Sequence, residues 1–317
     1  MKKIEPKQLF VERIGKLIPD EKDREKFWEY ARKKTRSSIR SNTLKIKPEE
    51  LIKILEDKGW TVSQPFQSNP EIMIIESKLG PGELGKTIEH LLGLYYVQEL
   101  SSMMPAIALN PKPGELVLDL TAAPGSKTTQ MVSLMENKGT IIANDKTLDR
   151  TNILAANLER CGCSNVVMVR HDAVLLCERL QKLGIKFDKV LLDLPCSGEG
   201  NTRSNEKTFL MWNIKMVEKL SRMQRKIASS AVSLLKQGGE LVYSTCTQSP
   251  EENERNVSFL AREFDLEIEK AEIPLKCRPG VLQWGREKYS EKINLACRIY
   301  PQDNDTEGFF LCKMKKK

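Results

Sequence analysis

The sequence has no cysteine pair spaced as CxxC, and its 317 residues include only two histidines, His90 and His171. Zinc sites built from such pairs are excluded, and no metal is expected. A zinc nucleobase deaminase needs PCxxC and HxE, whereas PCSGEG offers no second cysteine. No run approaches the ~20 apolar residues of a membrane span. The opening MKKIEPKQLF lacks the apolar centre of a signal peptide. A cytoplasmic protein with no membrane partner is expected, and there its eight cysteines are expected to be reduced.

Hydrophobic residues make up 40% of the chain, enough for a real core. Lys and Arg total 51 against 43 acids, a net charge of +8, and the excess is unevenly placed. Residues 1 to 60 hold 17 basic and 11 acidic residues, and Arg32 to Lys47 has seven basic residues and no acid. A solvated helix face normally interleaves signs, so this run points to a polyanion partner.

Residues 1 to 80 read as a separate basic α/β unit, 81 to 113 as a bridging segment and 114 to 317 as the main domain. The spacing of Leu9, Ile14, Leu17 and of Phe27, Trp28, Ala31 predicts two short helices, with Asp20 capping the second. SSIRSNTL reads as a strand, PEELIKILEDKGW as a helix opened by Pro48, and EIMIIES as another strand. KTIEHLLGLYYVQE fits strand or helix, Tyr95 and Tyr96 read as core, and SSMMPAIALN reads as a helix entered at Ser101 or Ser102. From 114 on, strands and helices alternate as in a parallel sheet. ELVLDL, GTIIAND, NVVMVRHDA, FDKVLLD and ELVYSTCT are its expected strands, and INLACRIY and GFFLCKM are expected to be partly antiparallel edge strands.

FDKVLLDLPCSGEG carries the chemistry. Val190, Leu191 and Leu192 suit a strand buried on both faces, and Pro195 stops it, delivering Asp193 and Cys196 to the carboxyl edge where open α/β sheets bind ligands. The plainer alternative is a capping Asp and an inert buried Cys. The turn DLTAAPGSKT lies between a strand and a helix but holds one glycine, Gly125, so it is neither GxGxxG nor GxxxxGK[ST]. A ligand without phosphates, such as S-adenosylmethionine, suits a loop of small residues, Ala122, Ala123 and Gly125. Asp145 ends the second strand, where a carboxylate reaches ribose hydroxyls, and Asp172 follows the third, within reach of an adenine amino group. Each alone would read as a loop cap, but Asp145, Asp172 and Asp193 end three successive strands. YSTCT puts Cys246 at the end of the fifth strand. With strands four and five adjacent, Cys196 and Cys246 would face one pocket together with Asp193. Methylation at carbon 5 of cytosine calls for that set. Thiolate addition at carbon 6 makes the ring an enamine that attacks a methyl sulfonium, and an acid near ring nitrogen 3 stabilises the developing charge.

Together DLTAAPGSKTTQ, IIANDK, DLPCSGEG, YSTCT and TEGFFLCKMKK closely resemble the Nol/Nop/Sun family of RNA cytosine-5 methyltransferases, over roughly residues 35 to 315. The resemblance implies a class I, Rossmann-like α/β methyltransferase, with a mostly parallel sheet, an antiparallel last strand and a small N-terminal α/β RNA-binding domain. It implies S-adenosylmethionine as donor, held by Ala122, Ala123, Pro124, Gly125, Ser126 and Lys127, with Asp145, Arg150, Asp172 and Asp193 around it. It also implies Cys246 as nucleophile, Cys196 in product release, and Asp193 and Lys127 in contact with the base. Spacing alone does not order the cysteines, because DNA cytosine methyltransferases attack from their Pro-Cys. Leu194 stands where the family usually has a small residue, and Gln302 follows Pro301 where a histidine is frequent. No auxiliary RNA-binding segment follows Lys317, unlike the longer ribosomal-RNA members, so the chain resembles the short archaeal-type enzymes linked to tRNA. A monomer acting on tRNA is expected. The alternatives are ribosomal RNA as substrate or an N-methyltransferase, whose sites usually carry [DN]PP[YF]. A non-catalytic relative would be expected to have lost a cysteine.

Overall fold

The apolar spacing near the N-terminus does give two helices, Gln8–Leu17 and Glu21–Ala31, and the Asp20 carboxylate caps the second by accepting from Asp23 N–H. Their buried faces meet residues far along the chain: Phe10, Ile14, Ile18 and Phe27 share one core with Phe209, Trp212, Val217 and Tyr300. The computed structural model describes residues 4–317 and divides into two units. One is Arg36–Leu191; the other is Leu192–Lys317 with the described residues up to Thr35. This division differs from the 1–80, 81–113 and 114–317 segments read from sequence. The aromatic and aliphatic faces of the first helices are completed by side chains near 210 and 300, a pairing that local patterning does not carry.

In the unit Arg36–Leu191, a small antiparallel sheet runs in the order Val62–Ser63, Ile72–Ile75, Ser37–Ser41, Tyr95–Val97. The helix Pro48–Asp57, opened by Pro48 at its first turn, buries Leu51 and Leu55 against Ile39, Met73, Ile75 and Tyr95. KTIEHLLGLYYVQE is both helix and strand: Ile88–Leu91, then Tyr95–Val97, and Tyr95 and Tyr96 are buried. The next helix is Leu100–Leu109, and its cap is Glu99, whose side chain accepts from the N–H groups of Ser101 and Ser102. A parallel sheet follows in the order Phe187–Asp193, Leu116–Asp119, Thr140–Asp145, Val166–Arg170. Leu191 pairs with Asp119, and the last two residues of that strand belong to the other unit. Val117, Leu118, Val190 and Leu191 are fully buried, as parallel strands covered on both faces require.

In the unit holding Leu192–Lys317, the helix Ile214–Val232 buries Val217, Ser221, Gln224, Ala228 and Ala231, one stripe at helical spacing. The strand Leu235–Thr245 begins before the expected position and passes through Gly238, whose φ of 72° is left-handed. The last strand, Phe309–Lys316, is antiparallel to it. That strand is interior rather than an edge: Cys297–Ile299 pairs with its first half and Leu266–Glu269 with its second. Its burial of Phe310, Leu311, Cys312 and Met314 accounts for the difference. Only Cys297–Ile299 of INLACRIY is strand, since Glu291–Leu295 is a 3-10 turn started by Ser290. The expectation of eight reduced cysteines also fails: Cys277 and Cys297 form a disulfide, with Cα atoms 5.1 Å apart, next to the short pairing of Arg278–Pro279 with Cys297 and Arg298. Among the described residues, no helix is long and apolar enough to cross a membrane.

Candidate active site

After Asp193 the chain leaves its strand, and the Leu194 N–H bonds to the Ser244 carbonyl at 3.1 Å. That tie lays the segment carrying Cys196 along the end of Leu235–Thr245. Cys196 Sγ then lies 3.0 Å from Cys246 Sγ, and Ser244 Oγ donates to Asp193 Oδ1 at 2.9 Å. Cys196, Cys246 and Asp193 are thus gathered at one edge, with both thiols partly exposed and Leu194 buried. Two glycines permit this. Gly200 N–H bonds to the Cys246 carbonyl at 2.9 Å, and Gly308 N–H bonds to the Gly200 carbonyl at 3.0 Å. A Cβ on Gly200 would sit 2.0 Å from the Gly308 oxygen and 3.0 Å from the Cys246 oxygen, so any larger residue would force the Gly308 backbone away and crowd the Cys246 carbonyl.

The Cys196 segment is held on both sides by one pair of buried side chains. Gln224 Nε2 donates to the Pro195 carbonyl at 2.9 Å and to Glu252 Oε2 at 2.7 Å, while Ser197 N–H donates to the same Glu252 oxygen at 3.1 Å. Glu252 Oε1 is buried with no hydrogen-bond partner among the described residues. Burial, reinforced by nearby Glu199 and opposed by these bonds, pushes the Glu252 carboxyl up to about 7. The bond to Cys246, burial and the nearby Glu252 hold the Cys196 thiol well above its ordinary value. Sequence reading missed both Glu252 and Gln224. The run EEN after YSTCT was the available signal for Glu252, but it reads equally well as the acidic start of a helix.

The loop after Leu116–Asp119 lies in the other unit. Ala122 N–H bonds to the Asn144 carbonyl at 2.8 Å, Gly125 N–H to the Ala122 carbonyl at 2.8 Å, and the Ala123–Pro124 peptide is cis. Gly125 has φ of 101° and opens the helix Ser126–Leu134; a Cβ there would come 2.9 Å from Leu154 Cδ1. Asp145 accepts from Arg150 Nε at 3.0 and 3.1 Å, and Arg150 reaches on to the Ala123 carbonyl at 2.6 Å, tying that acid to the loop. Lys127 is buried, with Nζ donating to Ser102 Oγ at 2.8 Å. Asp172 serves as the N-cap of Ala173–Lys182 and pairs with Lys146 at 3.1 Å, which lowers its pKa. Asn144 was also missed: its side chain bonds to the Leu120 and His171 carbonyls and the His171 N–H, knitting three strand ends.

The 16S rRNA methyltransferase RsmB/F family matches residues 106–315, and the N-terminal domain of 16S rRNA methyltransferase RsmF matches residues 6–100. A tRNA (cytosine(49)-C(5))-methyltransferase of Pyrococcus abyssi is 45% identical over 315 residues, 99% of this chain and 97% of its own length. The chain belongs to the RsmB/F methyltransferase family. A ribosomal RNA small subunit methyltransferase F of Vibrio parahaemolyticus is 39% identical over 97% of this chain, which spans only 62% of that longer relative. Among solved structures, NSun6 from Pyrococcus horikoshii with SFG superposes with a TM-score of 0.84 at 28% identity, covering 98% of each chain. A methyltransferase homologue from the same organism gives 0.81 at 31% identity, covering 98% of this chain and all of its own.

Two stretches of this RsmB/F chain are used differently from their sequence appearance. Within the basic run, Arg40 is buried, donating to Gln98, to the Ser126 carbonyl at 2.9 Å and to Thr129 Oγ1 at 2.9 Å, and burial pulls its pKa down to about 10. Lys45 Nζ donates to the Leu92 and Arg160 carbonyls, and Lys33 pairs with Glu29 at 2.6 Å. Part of the run therefore braces the fold. GPGELGKT, Gly80 to Thr87, matches GxxxxGK[ST], but the short helix Glu83–Lys86 occupies the loop itself, only the four-residue helix Ile88–Leu91 comes directly after it, and Gly80 N–H is bonded to Glu83 Oε2. That loop is closed on its own carboxylate and offers no phosphate cradle.

Proposed function

We propose that this chain transfers a methyl group from S-adenosylmethionine to carbon 5 of cytosine in tRNA, through a covalent Cys246 adduct at carbon 6, acting as a cytoplasmic monomer. The 3.0 Å approach of Cys196 and Cys246 beside Asp193 carries the reading. The Pyrococcus abyssi relative, matched along nearly its whole length, favours tRNA over ribosomal RNA.

The small side chains of the loop Ala122 to Lys127, two alanines and Gly125, suit the amino-acid end of the donor, while Asp145 at its strand end suits the ribose hydroxyls. S-adenosylmethionine supplies an electrophilic methyl on a sulfonium. The chain does the rest. Cys246 as thiolate adds to carbon 6, and carbon 5 becomes nucleophilic. Asp193, with Lys127 as a second contact to the base, stabilises charge at ring nitrogen 3. After transfer, the carbon-5 proton leaves to a base, the ring double bond re-forms and the bond from Cys246 to carbon 6 breaks. Cys196 stands 3.0 Å from that departing sulfur. The target base must be unstacked for this attack, and basic residues of the 1–80 segment supply backbone affinity rather than sequence choice.

The two thiols separate by experiment. Cys246→Ala should abolish methylation and give no adduct, whereas Cys196→Ala should still attack and methylate but leave a protein–RNA adduct that survives denaturing electrophoresis. The reverse pattern would reassign the nucleophile, and two merely destabilised proteins that never trap RNA would remove both cysteines from the chemistry. Bisulfite sequencing of RNA from cells with and without the protein identifies the modified cytosine.

A further inference from the structure

The helices Ile214–Val232 and Glu254–Glu263 and the strand Glu287–Lys288 line an open cleft of about 450 Å³. Five cations line it: Arg222, Arg225, Arg255, Arg262 and Lys288. The two carboxylates in its wall, Glu218 and Glu287, both bond to Arg255, at 3.0 and 2.8 Å. Arg262 pairs outside the cavity lining, with Glu263 at 2.9 Å. Arg222, Arg225 and Lys288 are left without a carboxylate partner among the described residues.

Arg225 is the informative member. It is half-buried, held at 4.6 Å over the ring of Phe259, and its Nε donates only to Asn256 Oδ1 at 3.2 Å. Burial and the neighbouring Arg255 disfavour its charge more than Glu287 and Glu218 favour it, lowering its pKa. A partly desolvated guanidinium beside a second one, with both nearby carboxylates already engaged, is a cost that a bound anion relieves. The planar fork of an arginine suits the oxygens of a phosphate, and Phe259 and Tyr289 add aromatic wall.

We propose that this cavity seats a phosphodiester of the substrate RNA, gripped by Arg222, Arg225 and Lys288, as a second anchoring point separate from the cysteine edge. The inference rests on the reading of the chain as an RNA methyltransferase. No residue of the cavity was singled out in the sequence, because its cations lie 66 positions apart, from Arg222 to Lys288, and read as ordinary helix surface.

The test uses the full chain and an unmodified tRNA transcript. Arg222→Ala with Lys288→Ala removes two exposed cations and leaves the packed stripe of the helix intact. Equilibrium binding is followed by anisotropy as salt is raised. Losing two phosphate contacts should flatten the slope of log affinity against log salt by about 1.8, and affinity near 0.1 M salt should fall on the order of tenfold or more. Arg225→Gln should act in the same direction. Turnover at saturating tRNA should be unchanged, with KM raised. Unchanged slope and affinity in both variants overturn the proposal. So does a loss of inorganic phosphate binding with tRNA affinity intact, which would make the cavity a site for free phosphate. If the wild-type protein binds tRNA with the cavity-dependent slope yet methylates no cytosine, the activity reading fails while this anchoring site stands.

Discussion

Replacing Glu252 by glutamine isolates the electrostatic cost of the carboxyl that holds the Cys196 segment. The amide keeps the volume and an oxygen to accept from Ser197 N–H and Gln224 Nε2, but it does not titrate. In the folded protein the carboxyl is pushed from its ordinary 4.5 up to about 7, so the fold favours its neutral form. That contribution to stability is complete below pH 4.5 and is lost as the pH rises through 7. At about 1.4 kcal/mol for each pH unit between the two values, the loss amounts to about 3 kcal/mol. At pH 4.5 a neutral Glu252 and a glutamine are nearly equivalent, because a proton or amide hydrogen at the Oε1 position is equally without a partner. Urea denaturation from pH 4.5 to 8.5 should therefore show the variant gaining about 3 kcal/mol on the wild type across the window, with the change centred between 4.5 and 7. Glu199, Tyr243 and Cys196 also titrate nearby and are common to both proteins, so they largely cancel in the difference. A stability difference that stays flat with pH would mean that Glu252 is ionised throughout, and the account of how this edge is held would be wrong.

Two further outcomes follow from other parts of the chain. Asp145→Ala should weaken S-adenosylmethionine binding by roughly 1–3 kcal/mol in calorimetry while RNA binding survives, since it removes the proposed ribose acceptor together with the carboxylate that orients Arg150; unchanged cofactor affinity in a folded variant would remove Asp145 from the site. Cys277→Ser opens a disulfide spanning 20 residues, and loop closure assigns that bond about 3 kcal/mol, so thermal unfolding should begin at lower temperature with methylation at moderate temperature retained; an unshifted transition would show that the bond constrains nothing.

What the sequence made legible was local. The helices Gln8–Leu17 and Pro48–Asp57, the buried strand Phe187–Asp193 and the acids at strand ends follow from spacing, capping and the proline that ends a ladder. The two cysteines were also within reach, because each follows the end of a strand in a recognisable run. What escaped depends on partners far apart in the chain. The first two helices take their core partners from near 210 and 300, and the disulfide lies next to a two-residue pairing of Arg278–Pro279 with Cys297 and Arg298. Gln224 looks like one polar residue on an amphipathic helix until its amide is seen between the Pro195 carbonyl and Glu252. Charge pointed to a polyanion partner, but counting the seven cations of Arg32 to Lys47 does not show that Arg40 is consumed inside the fold.

The neighbourhood of the cysteine pair bears on which thiol attacks. Two thiols 3.0 Å apart share a hydrogen bond, and that bond is the first of the influences that hold the Cys196 thiol above its ordinary value. The choice between them then depends on what else stands near. Glu252 touches the Cys196 segment through Ser197 N–H, and above pH 7 it adds a negative charge on that side. Burial acts on Cys196 in the same direction. Both effects favour Cys196 as the thiol that keeps its proton and donates it toward Cys246, and so favour Cys246 as the attacking sulfur. The same environment suits the return step, because a protonated Cys196 beside the thioether can hydrogen-bond to the sulfur as it departs. Under this account Glu252→Gln removes one of the influences that keep Cys196 protonated, and adduct release should then depend less on pH near 7 than in the wild type. That ties the pH dependence of release to the same carboxyl whose titration the denaturation series measures.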